Sequence, residues 1–312
     1  MKKYRGALGP ITAVLLFLVG MRWSPFEPHG PPADPSGGAS GTISWDDQDW
    51  AVFESTVSRA LSEGQDTLPM GDLMAAIGVG LVGTAYVPQT LEVDGPERLV
   101  VNFRGLDCVA FVENVYALAR TVKSIEPERL ADRAGLEGDY ERMLRSLRYR
   151  NGVIEGYASR LHYFSDWIGQ NSRKGLVRDV TAELGGVLET EPINFMSTHP
   201  DAYRQLADPG VVEDVASVEA MLSGSGRHVI PEGRVADVAG EIRNGDIIAA
   251  TSTVAGLDVA HTGLALWVDG ELRLLHAPLV GEAVQISETS LAERLVRIDS
   301  QDGIIVARPM DF

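Results

Sequence analysis

Basic residues are scarce in this chain. Against 44 Asp and Glu stand 27 Lys and Arg, a formal net charge of −17 over 312 residues. That balance offers no clustered Lys and Arg to neutralise phosphates, which argues against nucleic acid as a partner. Cysteine is scarcer still, because Cys108 is the only one. A single thiol excludes an intramolecular disulfide, a multi-cysteine zinc site and a cysteine-ligated iron–sulfur cluster. It leaves a small buried hydrophobe or a reactive nucleophile. The helical zinc signatures H-E-x-x-H and H-x-x-x-H are missing too. What remains, with 45% apolar and 23% charged residues, is ordinary globular composition, enough for one large domain or two small ones.

Lys2, Lys3 and Arg5 precede an apolar run from Ile11 to Met21. Basic residues followed by a short apolar stretch are the layout of a secretory signal. The run is shorter than the roughly 20 residues of a comfortable membrane span. No A-x-A cleavage site follows, so residues 1–23 read as a signal peptide or a signal anchor. No cysteine stands behind the run, which excludes a lipoprotein signal. Residues 24–43 hold a Pro/Gly-rich linker (SPFEPHGPPADPSGGASG, Ser24 to Gly41), a composition that forms no packed element. The catalytic domain is then expected over 44–312. It is expected outside the cytoplasm, in the periplasm or cell envelope, with membrane contact only through the N-terminal segment.

Trp50, Phe53, Val57, Ala60 and Leu61 recur at helical spacing, and Leu73, Met74, Ile77 and Leu81 continue the pattern. Gly78 to Gly83 (GVGLVG) matches the dinucleotide fingerprint, but a helix pattern precedes it where a strand belongs. Close packing explains those glycines better. A second helix is predicted from Cys108 to about Val122, with Asp107 at the N-cap and Cys108, Phe111, Val112, Val115 and Leu118 on one face. Residues 137–149 predict a polar, Arg-rich helix, and residues 156–168 are dense in aromatic and polar groups before a further short helix. The C-terminal third turns to strands at Asp246 to Ala250, His261 to Val268, Glu271 to His276, Ala283 to Ile286 and Ile304 to Ala307. Asp269-Gly270 is a hairpin turn. Helices first and an antiparallel meander afterwards define an α+β fold, with N-terminal helices packed on a C-terminal antiparallel sheet.

Cys108 as first residue of its helix is placed where unpaired N–H groups and the dipole favour thiolate, so the position predicts a lowered thiol pKa. A thiol nucleophile needs a base, and the base an orienting partner. His261 opens one strand and His276 closes the next across the Asp269-Gly270 turn, so the two imidazoles are expected to meet.

Here the sequence resembles a known family. LDCVAFVENVYALA, AHTGLALW and LLHAP, in that order, are similar to the NlpC-type papain-like cell-wall peptidases. LVGTAYVPQTLE, GYASRLHYFSDWI, EPINFMSTHP and the longer NGDIIAATSTVAGLDVAHTGLALW narrow the likeness to the N-acetylmuramoyl-L-alanine amidase-like branch. The one departure is Ala85-Tyr86, where a proline is expected before the tyrosine. The resemblance implies a papain-like fold with catalytic Cys108, base His261 and orienting His276. It implies hydrolysis of an amide in peptidoglycan or its fragments, with no cofactor. Tyr157, Arg160, Asp166 and Asn194 fall in the matching segments and are candidate substrate contacts. Arg160 would fork onto a stem-peptide carboxylate. Asp107 would help orient the oxyanion region, where the Cys108 N–H is a donor. Alternatives on the same residues are a stem-peptide endopeptidase, a thiol acyltransferase, and a metal amidase using His261, His276 and Asp258 or Asp107. A wall-binding module using residues 157–167 is a further rival.

Overall fold

The computed structural model describes residues 42, 43 and 45–312; the expected signal segment and nearly all of the linker lie outside the described residues. Helix α1 (Asp47–Ser62) starts because the Asp46 side chain accepts the N–H groups of Gln48 and Asp49. It stops before Gly64, which sits in the left-handed region at φ 68°. Pro69 then leads into α2 (Met70–Gly80). In α2, a Cβ on Gly78 would come 2.8 Å from a Leu275 methyl and 3.3 Å from the Phe111 ring. The glycines of GVGLVG therefore serve close helix packing.

Short strands β1 (Thr42–Ile43), β2 (Ala85–Tyr86), β3 (Leu99–Val100) and β4 (Gly105–Leu106) pair in parallel, β1 with β3 and β2 with β4. They lead to the central helix α3 (Cys108–Ser124), buried along almost its whole length. Its polar residues are satisfied internally. Glu113 accepts from Arg148 Nε at 2.7 Å and from Trp167 Nε1 at 3.1 Å, and Asn114 accepts the Tyr140 hydroxyl. Arg148 ends α4 (Arg133–Arg148), which begins about a turn before the predicted position because Asp132 caps it through the Gly135 N–H. Helix α5 (Phe164–Arg173) closes this layer.

The sheet contains β5 (Val177–Asp179), β6 (Val187–Glu189), β7 (Arg227–Pro231), β8 (Ile247–Ser252), β9 (Val259–Val268), β10 (Glu271–His276), β11 (Gln285–Ile286) and β12 (Gln301–Pro309). Its order is β11-β10-β9-β8-β12-β7-β6, with β5 also on β12, and every pairing is antiparallel. The meander β8 to β11 is as the sequence predicts. The last strand instead returns to the middle, between β8 and β7.

Both faces of the sheet are covered. Ile247, Ala249, Leu264, Leu275 and Ile305 join the core formed with α1 to α5. The alternate residues Ile248, Ala250, Ala265, Leu274 and Ile304 join a second core. That core is closed by Val235 and Val238 of α8 (Val235–Val238) and Leu291 and Leu295 of α9 (Leu291–Val296). Burial on both sides is why these strands read as continuous apolar runs. A third cluster packs Tyr157, Tyr163, Ile193, Met196 and Leu206 against Val215 of α7 (Pro209–Ser223). Met196 belongs to the single-turn helix α6 (Phe195–Thr198).

Candidate active site

Cys108 is the first residue of α3, and the Asp107 carboxylate caps the helix by accepting the Ala110 N–H at 2.7 Å. Cys108 is largely buried and lines a cleft whose walls are Val109, His162, Tyr163, Phe164, Met196, Tyr203 and the segment 257–262, including His261. Cys108 and His261 therefore share one cavity, although 152 residues lie between them in the chain.

Strand β9 delivers His261 through an irregularity. Ala250 pairs with His261, but Thr251 pairs with Val259, leaving Ala260 as an extra residue immediately before the imidazole. Such a bulge re-aims the side chain that follows. The adjoining hairpin supplies His276, whose Nδ1 lies 2.7 Å from His261 Nε2 with the rings 81° apart. The hairpin register pairs Leu275 with Leu264, so the two histidines are diagonal neighbours rather than directly opposed. Gly263 leaves the intervening space: a Cβ there would come 2.9 Å from His276 Cβ and 2.7 Å from the Leu275 carbonyl oxygen. The H-T-G triplet carried that signal, and sequence reasoning passed over its glycine.

Electrostatics correct one expectation. Burial, helped by the neighbouring Asp107 charge, pushes the Cys108 thiol up to about 12; the Thr262 N–H and the N–H groups at the helix start oppose this but do not win. Burial also holds both imidazoles down: His261 falls well below 6.5 with His276 and Arg294 adding to the effect, and His276 falls to about 3. The resting pair is a neutral thiol beside neutral imidazoles, not a preformed thiolate. Helix position alone does not lower a thiol pKa when desolvation is larger. His276 is 2% exposed and its Nε2 has no partner among the described residues.

Asp107 is the N-cap, and as a carboxylate it accepts; it supplies no donor to an oxyanion. None of the four candidate substrate contacts lines the Cys108 cleft. Arg160, 6% exposed, is ion-paired to Glu92 and, at 3.3 Å, to Glu97. Its fork is occupied by this chain's own carboxylates. Tyr157 donates its hydroxyl to Glu92 at 3.3 Å. Asp166 is paired with Arg150 at 2.6 Å and faces another cavity with Arg173, Arg227 and His228. Asn194 packs its side chain on Gly256, where its backbone N–H is also donated. Residues the sequence reading did not select do line the cleft: His162, Tyr163, Met196 and Tyr203. Asp258, buried beside them, accepts the Ser165 N–H at 2.8 Å and the Val259 N–H at 2.7 Å. Tyr86 lies close enough for the charges of Asp107 and Cys108 to raise its hydroxyl pKa, after burial. Among the described residues, no three His, Cys, Asp or Glu side chains converge as a metal-ligand set.

Comparison with known proteins gives this geometry a family. Among proteins of curated function none matches the chain. A solved N-acetylmuramoyl-L-alanine amidase from Bacteroides uniformis is 38% identical, with a TM-score of 0.72 over 78% of this chain and 99% of its own. A Bacteroides fragilis protein, provisionally named a xylanase, is 40% identical over 74% of this chain and 98% of its own, with a TM-score of 0.68. A Legionella pneumophila protein at 22% identity and TM-score 0.61, covering 84% of this chain and 97% of its own, shares the fold. The profile of the N-acetylmuramoyl-L-alanine amidase-like family matches residues 76–304, which spans Cys108, both histidines and all the cleft-lining residues. The chain belongs to the N-acetylmuramoyl-L-alanine amidase-like family.

Proposed function

We propose that the protein is an exported cysteine amidase that hydrolyses the N-acetylmuramoyl–L-alanine bond of peptidoglycan or released muropeptides, on a papain-like scaffold. The observation that carries this reading is the shared cleft of Cys108 and His261, with His276 at 2.7 Å behind the latter. In the tautomer this chemistry requires, His261 Nε2–H donates to His276 Nδ1, which leaves His261 Nδ1 for the thiol proton. Since the thiol is neutral at rest, His261 takes that proton as sulfur attacks the lactyl carbonyl carbon. The carbonyl oxygen becomes an oxyanion at the α3 N-terminus, where the Cys108 N–H is the donor. His261 returns the proton to the alanine nitrogen as the C–N bond breaks, and a thioester remains. Water, deprotonated by the same ring, attacks the thioester and releases the muramic carboxylate and the thiol. His276 fixes the ring and steadies the transient imidazolium.

The xylanase label on one relative suggests another chemistry. Glycoside hydrolysis ordinarily uses two carboxyl groups about 5–9.5 Å apart across the bond. The cleft wall holds one, Asp258, with both oxygens accepting backbone N–H groups.

Mass analysis of products from a defined muropeptide tests the proposal. The expected products are free muramyl sugar and a peptide beginning with L-alanine. Cleavage within the stem, or of a glycosidic bond, would overturn it. Cys108→Ala should abolish product. His261→Ala should remove nearly all turnover, and His276→Asn should retain more, because an amide can still hold the ring by one hydrogen bond. Equal losses in the two histidine variants, with chelator sensitivity in the parent, would favour a metal amidase.

A further inference from the structure

Besides His261, the cleft is lined by a second imidazole, His162, that the proposed chemistry does not use. His162 Nε2 lies 2.8 Å from the Tyr157 carbonyl oxygen. A carbonyl only accepts, so Nε2 carries the proton and Nδ1 is a bare acceptor. The ring is clamped in that orientation. It packs against the Tyr157 ring with centroids 4.2 Å apart and planes tilted by 40°, Tyr157 is held by Glu92, and Glu92 is held by Arg160. Nδ1 has no partner among the described residues, and the residue lines the cleft with Cys108.

The rest of the wall has the same character. It contains the Asp258 carboxylate and the Tyr203 ring but no Lys or Arg. A substrate carboxylate would meet acceptors and find no cation. We propose that His162 Nδ1, beside Asp258, forms a substrate subsite that accepts a hydrogen bond from a neutral donor of the substrate, an amide N–H or a sugar hydroxyl. This rests on the amidase reading above and gives roles to the residues behind the cleft. Arg160, Glu92 and Tyr157 are positioning residues for His162, not substrate contacts.

The charged groups around the ring agree with an acceptor. Burial first, then Arg160 and more weakly Arg150, keep His162 well below 6.5, while the Tyr157 carbonyl pulls the other way. Cys108, His261 and Tyr203 face it as neutral groups, and Asp258 brings the one carboxylate of the wall. The ring therefore stays neutral through the physiological range, with Nε2–H held by the Tyr157 carbonyl and Nδ1 left as an acceptor.

The test uses the full chain carrying Cys108→Ala, labelled with nitrogen-15 in histidine, and N-acetylmuramoyl-L-alanyl-D-isoglutamine as probe. Long-range proton–nitrogen spectra should show His162 with Nε2 protonated and Nδ1 bare down to pH 5.5. Adding the probe should move the Nδ1 resonance. In the active protein, His162→Phe keeps an aromatic ring against Tyr157 but removes the acceptor, and should raise KM about tenfold with a smaller change in kcat. A protonated Nδ1, an Nδ1 unmoved by saturating probe, or probe binding that tightens from pH 7.5 to 5.5 would overturn the inference. Failure of the active protein to cleave the probe's amide would count against the amidase reading instead, since the spectra report binding without turnover.

Discussion

At Cys108 two opposing effects meet, and their sizes decide the chemistry. Helix N-termini favour thiolate by a fraction of a charge, whereas burial of a thiolate in packed protein costs more. The thiol rises to about 12, so alkylation of the free enzyme by iodoacetamide should have a midpoint above 8.5, the ordinary thiol value. Because His261 is lowered, its base form persists below 6.5, and the acid limb of kcat/KM should fall below that value rather than at it. Asp107→Asn tests the charge contribution: asparagine still caps the helix, but the carboxylate that raises the thiol is gone. The alkylation midpoint should drop relative to the parent; an unchanged midpoint would remove Asp107 from the balance. Gly263 is the other residue where small size decides the outcome. Gly263→Ala should displace His276 and cut turnover while the far core remains folded, measured as kcat together with the thermal midpoint. Full activity in that variant would mean that the histidine pair tolerates movement.

At the scale of elements, α3 ties the proposed nucleophile to stability. Its first residue lies in the cleft, and one turn and a half later Glu113 is buried against Arg148 with both side chains at most 3% exposed. Arg148 also donates to the Val100 carbonyl at 2.6 Å, which joins α4, β3 and α3. Breaking a buried pair by removing one partner leaves an uncompensated charge, at a cost of about 3–5 kcal/mol. Glu113→Ala should lower unfolding stability by that order in a denaturant titration. A loss below about 1 kcal/mol would show that Arg148 finds another partner. The element missed most completely from the sequence is α7. Its start was legible in Asp208-Pro209, an N-cap followed by proline at the first helical position. Strands β5 and β6 have three residues each and β7 ends at Pro231, too little pattern to read without the partners they pair with, β12 for β5 and β7, and β7 for β6.

For the molecule as a whole, three apolar clusters divide the work. Two sandwich the sheet, and the third, around α7, builds the wall of the cleft that carries Tyr163 and Met196. No helix among the described residues is long and apolar enough to cross a membrane. The proposed export rests on residues 1–23. A topology reporter fused after Gly41 should be active only in the exported compartment; activity confined to the cytoplasm would refute export.

The sequence by itself determined the α+β class, the helix beginning at Cys108, the β9–β10 hairpin and the pairing of His261 with His276. These are local facts: helical period, an N-cap and a D-G turn act over a few residues. Only the tertiary structure decided that β12 returns to the centre of the sheet and that Arg160 is consumed by Glu92 and Glu97. Likewise it decided that the cleft is faced by His162, Tyr203 and Asp258. Each depends on contacts between segments distant along the chain. The direction of the thiol shift has the same origin, because desolvation is set by everything packed around a group, which no window of sequence contains.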